Sequence, residues 1–181
     1  MTNQTTQSVR PVVVLVGPPG CGKSTTARRL AKMMDCAARD TDSDIETSAG
    51  KSISDIFMDD GEPAFRALEV QAVAAALTGH PGVLALGGGA VLDPETQANL
   101  ARYRNAGGTV VFLDVSLSAA APRVGFNTSR PLLLGNPRGQ WKMLMEARRP
   151  TYEAVSGHRV LTDSKTPTVV AQEILDLLPA A

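Results

Sequence analysis

Several things are scarce in this chain of 181 residues, and each scarcity closes a door. There are two cysteines, Cys21 and Cys36. That is too few for a disulfide framework, so a reducing, cytoplasmic setting is expected. The two histidines, His80 and His158, stand alone, and no Cys/His spacing suits a structural metal. Lys and Arg together number 18, and so do Asp and Glu. The chain therefore carries no net field that would draw nucleic acid or an anionic membrane surface. No apolar run approaches the roughly 18 residues of a membrane span. Residues 1–9 are polar and lack the apolar stretch of a signal peptide, so they are expected to form a disordered tail.

What is present fits an ordinary soluble globular protein, at 43% hydrophobic and 20% charged residues. The length suits one domain with a sizeable core, expected over residues 10–181. The basic residues are mostly arginine, which favours forked recognition of carboxylate or phosphate.

The most informative stretch is Val12 to Thr26, VVVLVGPPGCGKSTT. An apolar run, Val12 to Val16, reads as a buried strand. Gly17 to Ser24 fits G-x-x-x-x-G-K-[ST], and a helical segment follows. Strand, glycine loop and helix are the context that a phosphate-binding loop requires. Gly17, Gly20 and Gly22 let the backbone turn tightly and aim successive N–H groups at an anion. The helix N-terminus adds partial positive charge. Lys23 can reach the β- and γ-phosphates, and the Ser24 hydroxyl can ligate Mg²⁺. A nucleoside triphosphate with Mg²⁺ is the expected ligand.

Apolar strands alternate with helices along the rest of the chain. Strands are expected near 11–17, 36–39, 83–86, 109–115 and 159–162. Helices are expected near 23–35, 43–48, 52–58, 63–78, 93–105, 116–123 and 140–155, with a closing helix from Thr166. This predicts an α/β fold of three layers, a mostly parallel sheet covered on both faces. Strand order does not follow from the pattern. Ligands are expected beyond the C-terminal ends of the strands, where the notable residues fall.

Asp40 and Asp42 end the second strand two residues apart, which in a strand turns both carboxylates to one side. One could serve Mg²⁺ and the other an acceptor hydroxyl; an acidic cap for the next helix is the plainer alternative. Gly87-Gly88-Gly89 follows a buried strand and lets a ligand approach the backbone, unless it is only a flexible turn. Arg66 is a candidate anion fork, or a helical surface charge, and of Arg148 and Arg149, just before Pro150, at least one should point inward if a site lies there. Arg123 and Arg130 flank a long loop, 125–139, and could close over a triphosphate. Asp114 ends an apolar strand and imitates a metal-binding carboxylate; a structural role is preferred, because Asp40 and Asp42 already supply carboxylates.

Taken together, GPPGCGKST (17–25), DTDSDIE (40–46), GKSISDIF (50–57), GEPAFRALE (61–69), LGGGAV (86–91), RPLL (130–133) and RRPTYE (148–153) resemble the shikimate kinases over nearly the whole chain after the tail. The resemblance implies a P-loop NTPase fold like that of the nucleoside monophosphate kinases, with a five-stranded sheet and a lid at about 123–139. It implies a monomeric ATP-dependent enzyme that phosphorylates the 3-hydroxyl of shikimate, within chorismate and aromatic amino-acid biosynthesis. Gly20, Cys21, Gly22, Lys23, Ser24 and Thr25 would cradle ATP, with Ser24 on Mg²⁺ and Asp40 behind it. Lys23, Asp42 and Arg130 would be catalytic, Asp42 as hydroxyl partner and candidate base. Arg66 and Arg148 would hold the shikimate carboxylate, and Gly87, Gly88 and Gly89 would face the substrate. Arg123 would lie near adenine, Arg130 would reach ATP from the lid, and Lys165 is the nearest match to a basic adenine contact. One departure is Arg39, where the family has an apolar or aromatic residue.

Three alternatives compete. A gluconate or nucleoside monophosphate kinase would share the fold, the latter wanting a denser arginine cluster. A small GTPase would need N/T-K-x-D, and Ser164 to Pro167 lacks the Asp. A silent nucleotide-binding protein would not be expected to keep Lys23, Ser24, Asp42, Arg66 and Arg148 together.

Overall fold

The computed structural model describes residues 9–124 and 135–180. Its strands are β1 (Val13–Val16), β2 (Ala38–Asp40), β3 (Val83–Ala85), β4 (Thr109–Asp114) and β5 (His158–Leu161). They form one sheet in the order β2-β3-β1-β4-β5, with every pairing parallel. The apolar run at β1 explains its place. Val13, Val14 and Leu15 are wholly buried, which only a central strand with both faces covered allows. β1 lies between β3 and β4, with Leu15 opposite Ala85 and Val111.

The helices are α1 (Lys23–Met33), α2 (Thr41–Ala49), α3 (Ile53–Asp59), α4 (Glu62–Gly79), α5 (Pro94–Asn105), α6 (Leu117–Val124), α7 (Pro137–Val155) and α8 (Pro167–Leu177). Several starts are legible as caps. The Asp93 carboxylate accepts from the N–H groups of Glu95 and Thr96, and Pro94 begins α5. The Thr166 hydroxyl accepts from Val169 N–H, and Pro167 begins α8. Both pairs satisfy helix donors that have no partner within the helix. No helix among the described residues is long and apolar enough to cross a membrane.

Three local differences from the sequence pattern have physical reasons. β2 runs Ala38–Asp40, not 36–39, because its register on β3 pairs Ala38 with Val83 and Asp40 with Ala85. It is an edge strand, which is why Arg39 is tolerated there: its guanidinium turns outward and pairs with Asp44 at 2.7 Å. α7 begins at Pro137, inside the expected loop, because Asn136 Oδ1 accepts from Gly139 N–H and Pro137 presets the first helical φ. The expected lid at 123–139 therefore overlaps the end of α6 and the first turn of α7, and its residues 125–134 lie outside the described residues. A short 3-10 turn, Ala90–Leu92, also follows the glycine triplet and was not legible in the sequence.

Two apolar clusters hold the fold. The larger spans both faces of the sheet and includes Leu30, Val73, Leu100, Phe112, Tyr152 and Ile174. The smaller joins Ile45 of α2, Ile56 of α3 and Phe65 of α4, with Phe57 and Phe65 rings 4.8 Å apart. Side chains of this size contribute roughly 1.5–3 kcal/mol each on burial. The smaller cluster matters for function because it anchors the start of α4, and so Arg66, to α2, and so Asp42.

Candidate active site

The parallel sheet sends the ends of β1, β2 and β3 to one edge, and the loops that leave them meet there. After β1 the chain enters the phosphate loop. Gly20 and Gly22 have φ of +84° and +85°, the left-handed region that a side chain disfavours. Gly22 caps α1 from that conformation. Lys23 curls back over the loop, and its Nζ donates to the Gly17 carbonyl at 2.7 Å and the Pro18 carbonyl at 3.1 Å. Cys21 offers a ligand no side chain. Its thiol is 1% exposed and belongs to the core, and its N–H donates to the Pro18 carbonyl at 3.3 Å.

The two aspartates after β2 do not share a strand face, contrary to the spacing argument. Asp40 closes β2, but Asp42 already lies in the first turn of α2. The turn sends them apart. One Asp40 oxygen accepts from the Ser24 hydroxyl, and the other caps α2 by accepting from Asp42 N–H at 2.9 Å. Asp40 is therefore both the carboxylate beside Ser24 and the acidic cap. A cleft of about 260 Å³ opens beside this pair, lined in part by Ser24, Arg28, Arg39 and Ser43.

The Asp42 carboxylate is at the glycine triplet. A Cβ built on Gly87 would lie 2.6 Å from Asp42 Oδ1 and 2.7 Å from Glu69 Oε1. One on Gly89 would collide with the Arg66 guanidinium, and one on Gly88 would press on Pro19 of the phosphate loop at 3.3 Å. The triplet is thus a strap of bare backbone, and a Cβ at Gly87 or Gly89 would displace the charged side-chain ends that pack on it. The strap gathers Asp42, Arg66 and Glu69 against the phosphate loop. Thr41, wholly buried, ties it down: its hydroxyl accepts from Gly87 N–H at 3.0 Å.

Glu69 holds the arginines. It is 3% exposed and takes a 2.7 Å ion pair from Arg66 Nη1. Burial pushes its carboxyl above the ordinary range, while Arg66 and Arg148 pull it back down. Arg66 is also held from the solvent side by Glu62, 3.1 Å away. Burial works against its charge, but Glu69 outweighs this and keeps Arg66 firmly cationic. Arg148, on α7, is 8% exposed and faces Glu69 and Tyr152. Two guanidinium groups and one carboxylate thus meet beside Asp42, an arrangement suited to a small hydroxylated anion.

On the far side of the phosphate loop, Arg123 of α6 reaches Gly20 O at 3.5 Å and Thr162 Oγ1 at 3.4 Å, so it bridges the loop to the end of β5. Lys165 is turned onto Glu173 of α8 at 2.8 Å. Trp141 of α7 donates its indole N–H to the Pro19 carbonyl at 2.8 Å. Asp114 is engaged by two arginines: Arg149 forks both its oxygens at 2.9 Å, and Arg159 Nη2 lies 2.6 Å away. Its role is structural, as preferred from the sequence. Arg130 lies outside the described residues.

Thr41, Glu69, Trp141 and Tyr152 were missed as site residues. Glu69 had a signal, since it follows Arg66 by three and so sits beside it on a helix. Tyr152 follows Arg148 by four. Thr41 and Trp141 act through backbone groups distant in sequence, which no local pattern announces.

A phosphate loop on the central strand of an all-parallel sheet, facing a polar acceptor pocket, defines a P-loop kinase. The family model described as shikimate kinase matches residues 19–179. A protein of Thermobifida fusca named shikimate kinase is 51% identical over 96% of this chain and 98% of its own length. One of Streptomyces avermitilis, with the same name, is 54% identical over 93% of this chain and 95% of its own. Among solved structures, shikimate kinase from Acinetobacter baumannii in complex with shikimate matches with a TM-score of 0.87 at 31% identity, covering 94% of this chain and 93% of that one. The chain belongs to the shikimate kinase family.

Proposed function

We propose that this chain transfers the γ-phosphoryl group of ATP to the 3-hydroxyl of shikimate, giving shikimate 3-phosphate and ADP on the route to chorismate and the aromatic amino acids. It does so in the cytoplasm, as a monomer, with one kinase domain over residues 10–181. The observation that carries the reading is the glycine strap. It brings Asp42 of α2 and Arg66 and Glu69 of α4 against the loop that grips phosphate.

In this reading the phosphate loop, Gly20 to Thr25, cradles the triphosphate with its backbone N–H groups. Lys23 leaves the Gly17 and Pro18 carbonyls and turns to the β- and γ-phosphates. Mg²⁺ fits here, because a hydroxyl and a carboxylate in direct contact, Ser24 and Asp40, border the loop. Ser24 would ligate it and Asp40 would hold its water; bound there, it supplies charge neutralisation on the phosphate oxygens. Among the described residues no group of three His, Cys, Asp or Glu side chains could hold a metal alone. Arg66 and Arg148 fork the shikimate carboxylate, and Glu69 orients both. Asp42 accepts from the acceptor hydroxyl and sets its lone pair toward phosphorus. The strap lets the ring approach the backbone of Gly87, Gly88 and Gly89. Arg123 borders the adenine side, with Lys165 behind it, and Arg130 reaches the triphosphate. Catalysis is mainly positioning and charge stabilisation, since a loose phosphoryl transition state needs little base help.

The test is ADP release with ATP and Mg²⁺ against shikimate, gluconate and a panel of nucleoside monophosphates. Turnover with shikimate alone is expected. Turnover with another acceptor and none with shikimate would overturn the reading of the pocket.

A further inference from the structure

The buried hydroxyl of Tyr152 has no part in the reaction as described above, yet it touches two sides of the acceptor site. Tyr152 lies on α7 one turn beyond Arg148 and is wholly buried. Its hydroxyl donates to the Gly88 carbonyl at 2.5 Å. The Arg148 guanidinium, one turn earlier on α7, interacts electrostatically with the same hydroxyl. Its ring stacks on Phe112 of β4, centroids 5.2 Å apart and planes 22° from parallel. The ring is thus fixed by the core, and the hydroxyl is fixed by the ring.

The consequence follows from peptide geometry. The Gly88 carbonyl and the Gly89 N–H belong to one planar trans peptide and point in opposite directions. Pinning the carbonyl to Tyr152 aims the Gly89 N–H away from α7. Glycines offer no side chain to resist rotation of that peptide, so without a clamp the strap has the greatest freedom of any backbone. Arg148 is a long side chain with similar freedom. One hydroxyl removes both.

We propose that Tyr152 is a positioning residue for the acceptor: its hydroxyl holds the Gly88–Gly89 peptide and the Arg148 guanidinium in the single arrangement that shikimate meets. It touches neither substrate. It acts by lowering the ordering cost of binding, which is the general route by which preorganised groups raise affinity. The inference rests on the reading of Arg148 as a substrate ligand.

The test uses the full chain and Tyr152→Phe, which keeps the ring on Phe112 and deletes only the hydroxyl. KM for shikimate is expected to rise about five- to tenfold, with KM for ATP within about twofold of the parent. A purely structural role would move both constants together, with the melting temperature. Calorimetric titration with shikimate at about 10 °C repeats the comparison where stability is not limiting. In an Arg148→Lys background, the effect of Tyr152→Phe is expected to shrink, because part of it acts through Arg148. An unchanged KM for shikimate in Tyr152→Phe, beside a raised KM in Arg148→Lys, overturns this inference alone. An unchanged KM in Arg148→Lys overturns the reading of the site, and this inference with it.

Discussion

Asp114 offers the sharpest test of how the fold is held, because its environment sets both a magnitude and a pH dependence. The perturbation is Asp114→Asn. The carboxylate is 2% exposed and receives a two-pronged fork from Arg149 and a further pair of bonds from Arg159. It also accepts from Val115 N–H at 2.9 Å. Asparagine keeps one carbonyl oxygen and turns an NH₂ toward a guanidinium, so the fork is broken. Were all partners buried, loss of one would cost roughly 3–5 kcal/mol. The arginine side chains are 36% and 58% exposed, so water replaces part of what is lost. About 2–3 kcal/mol is the expected cost, the range of one or two hydrogen bonds to a charged group. For a chain of this length that corresponds to a fall in melting temperature of roughly 5–10 °C. The pH dependence has a definite sign. Burial alone would raise this carboxyl, but the hydrogen bonds and charges of Arg149 and Arg159 outweigh it and hold it below its ordinary value. A group depressed in the folded state contributes stability in full above its unfolded value, about 3.9, and loses it as pH falls through the folded value. Thermal unfolding followed by circular dichroism should therefore show a wide gap between parent and variant near neutral pH, closing below about pH 3.9. A gap under about 1 °C at neutral pH, or one that persists unchanged in acid, would refute this account.

Three further outcomes are expected. Arg66→Ala and Arg148→Ala should each raise KM for shikimate at least tenfold, as each removes a charge-assisted pair of about 1.5–3 kcal/mol; steady-state kinetics with ATP saturating decides it. Gly87→Ala should impair shikimate binding while ATP binding survives, because its Cβ would lie 2.6 Å from the Asp42 carboxylate; parallel titrations of the two ligands separate these effects. Titrating ATP should change the emission of Trp141, the sole tryptophan, since its indole bonds Pro19 of the phosphate loop. A silent titration with an active enzyme would remove that link.

Much of the site was legible because it is written in short segments. The phosphate loop needs glycines, a lysine and a serine at fixed spacing, and local backbone geometry alone dictates that pattern. Gly87 to Gly89 could be marked for the same reason. The aspartates show the limit. Their spacing suits a strand, but α2 begins at Thr41, and the switch from strand to helix between them sends Asp40 to Ser24 and Asp42 to Gly87. The competition between a strand end and a helix start is settled by the Asp40 cap on Asp42 N–H together with the register on β3, and β3 lies far from the pair in sequence. Glu69 was masked because an acid three residues from an arginine is ordinary surface chemistry. Only its burial makes it a clamp.

The sequence by itself determined the alternation of strands and helices, the layered parallel sheet, the phosphate loop and the residue types of the acceptor pocket. These follow from hydrophobic periodicity, backbone allowance and side-chain chemistry, all local properties. The strand order β2-β3-β1-β4-β5, the gathering of Asp42, Arg66 and Glu69 under one strap, the Asp114 ion cluster and the reach of Tyr152 to Gly88 were decided only by tertiary structure. Each joins residues tens of positions apart or selects among partners that the sequence supplies equally well. Packing of the sheet and its helices makes that choice, because the observed arrangement buries the apolar faces while giving the buried Glu69 and Asp114 their arginine partners.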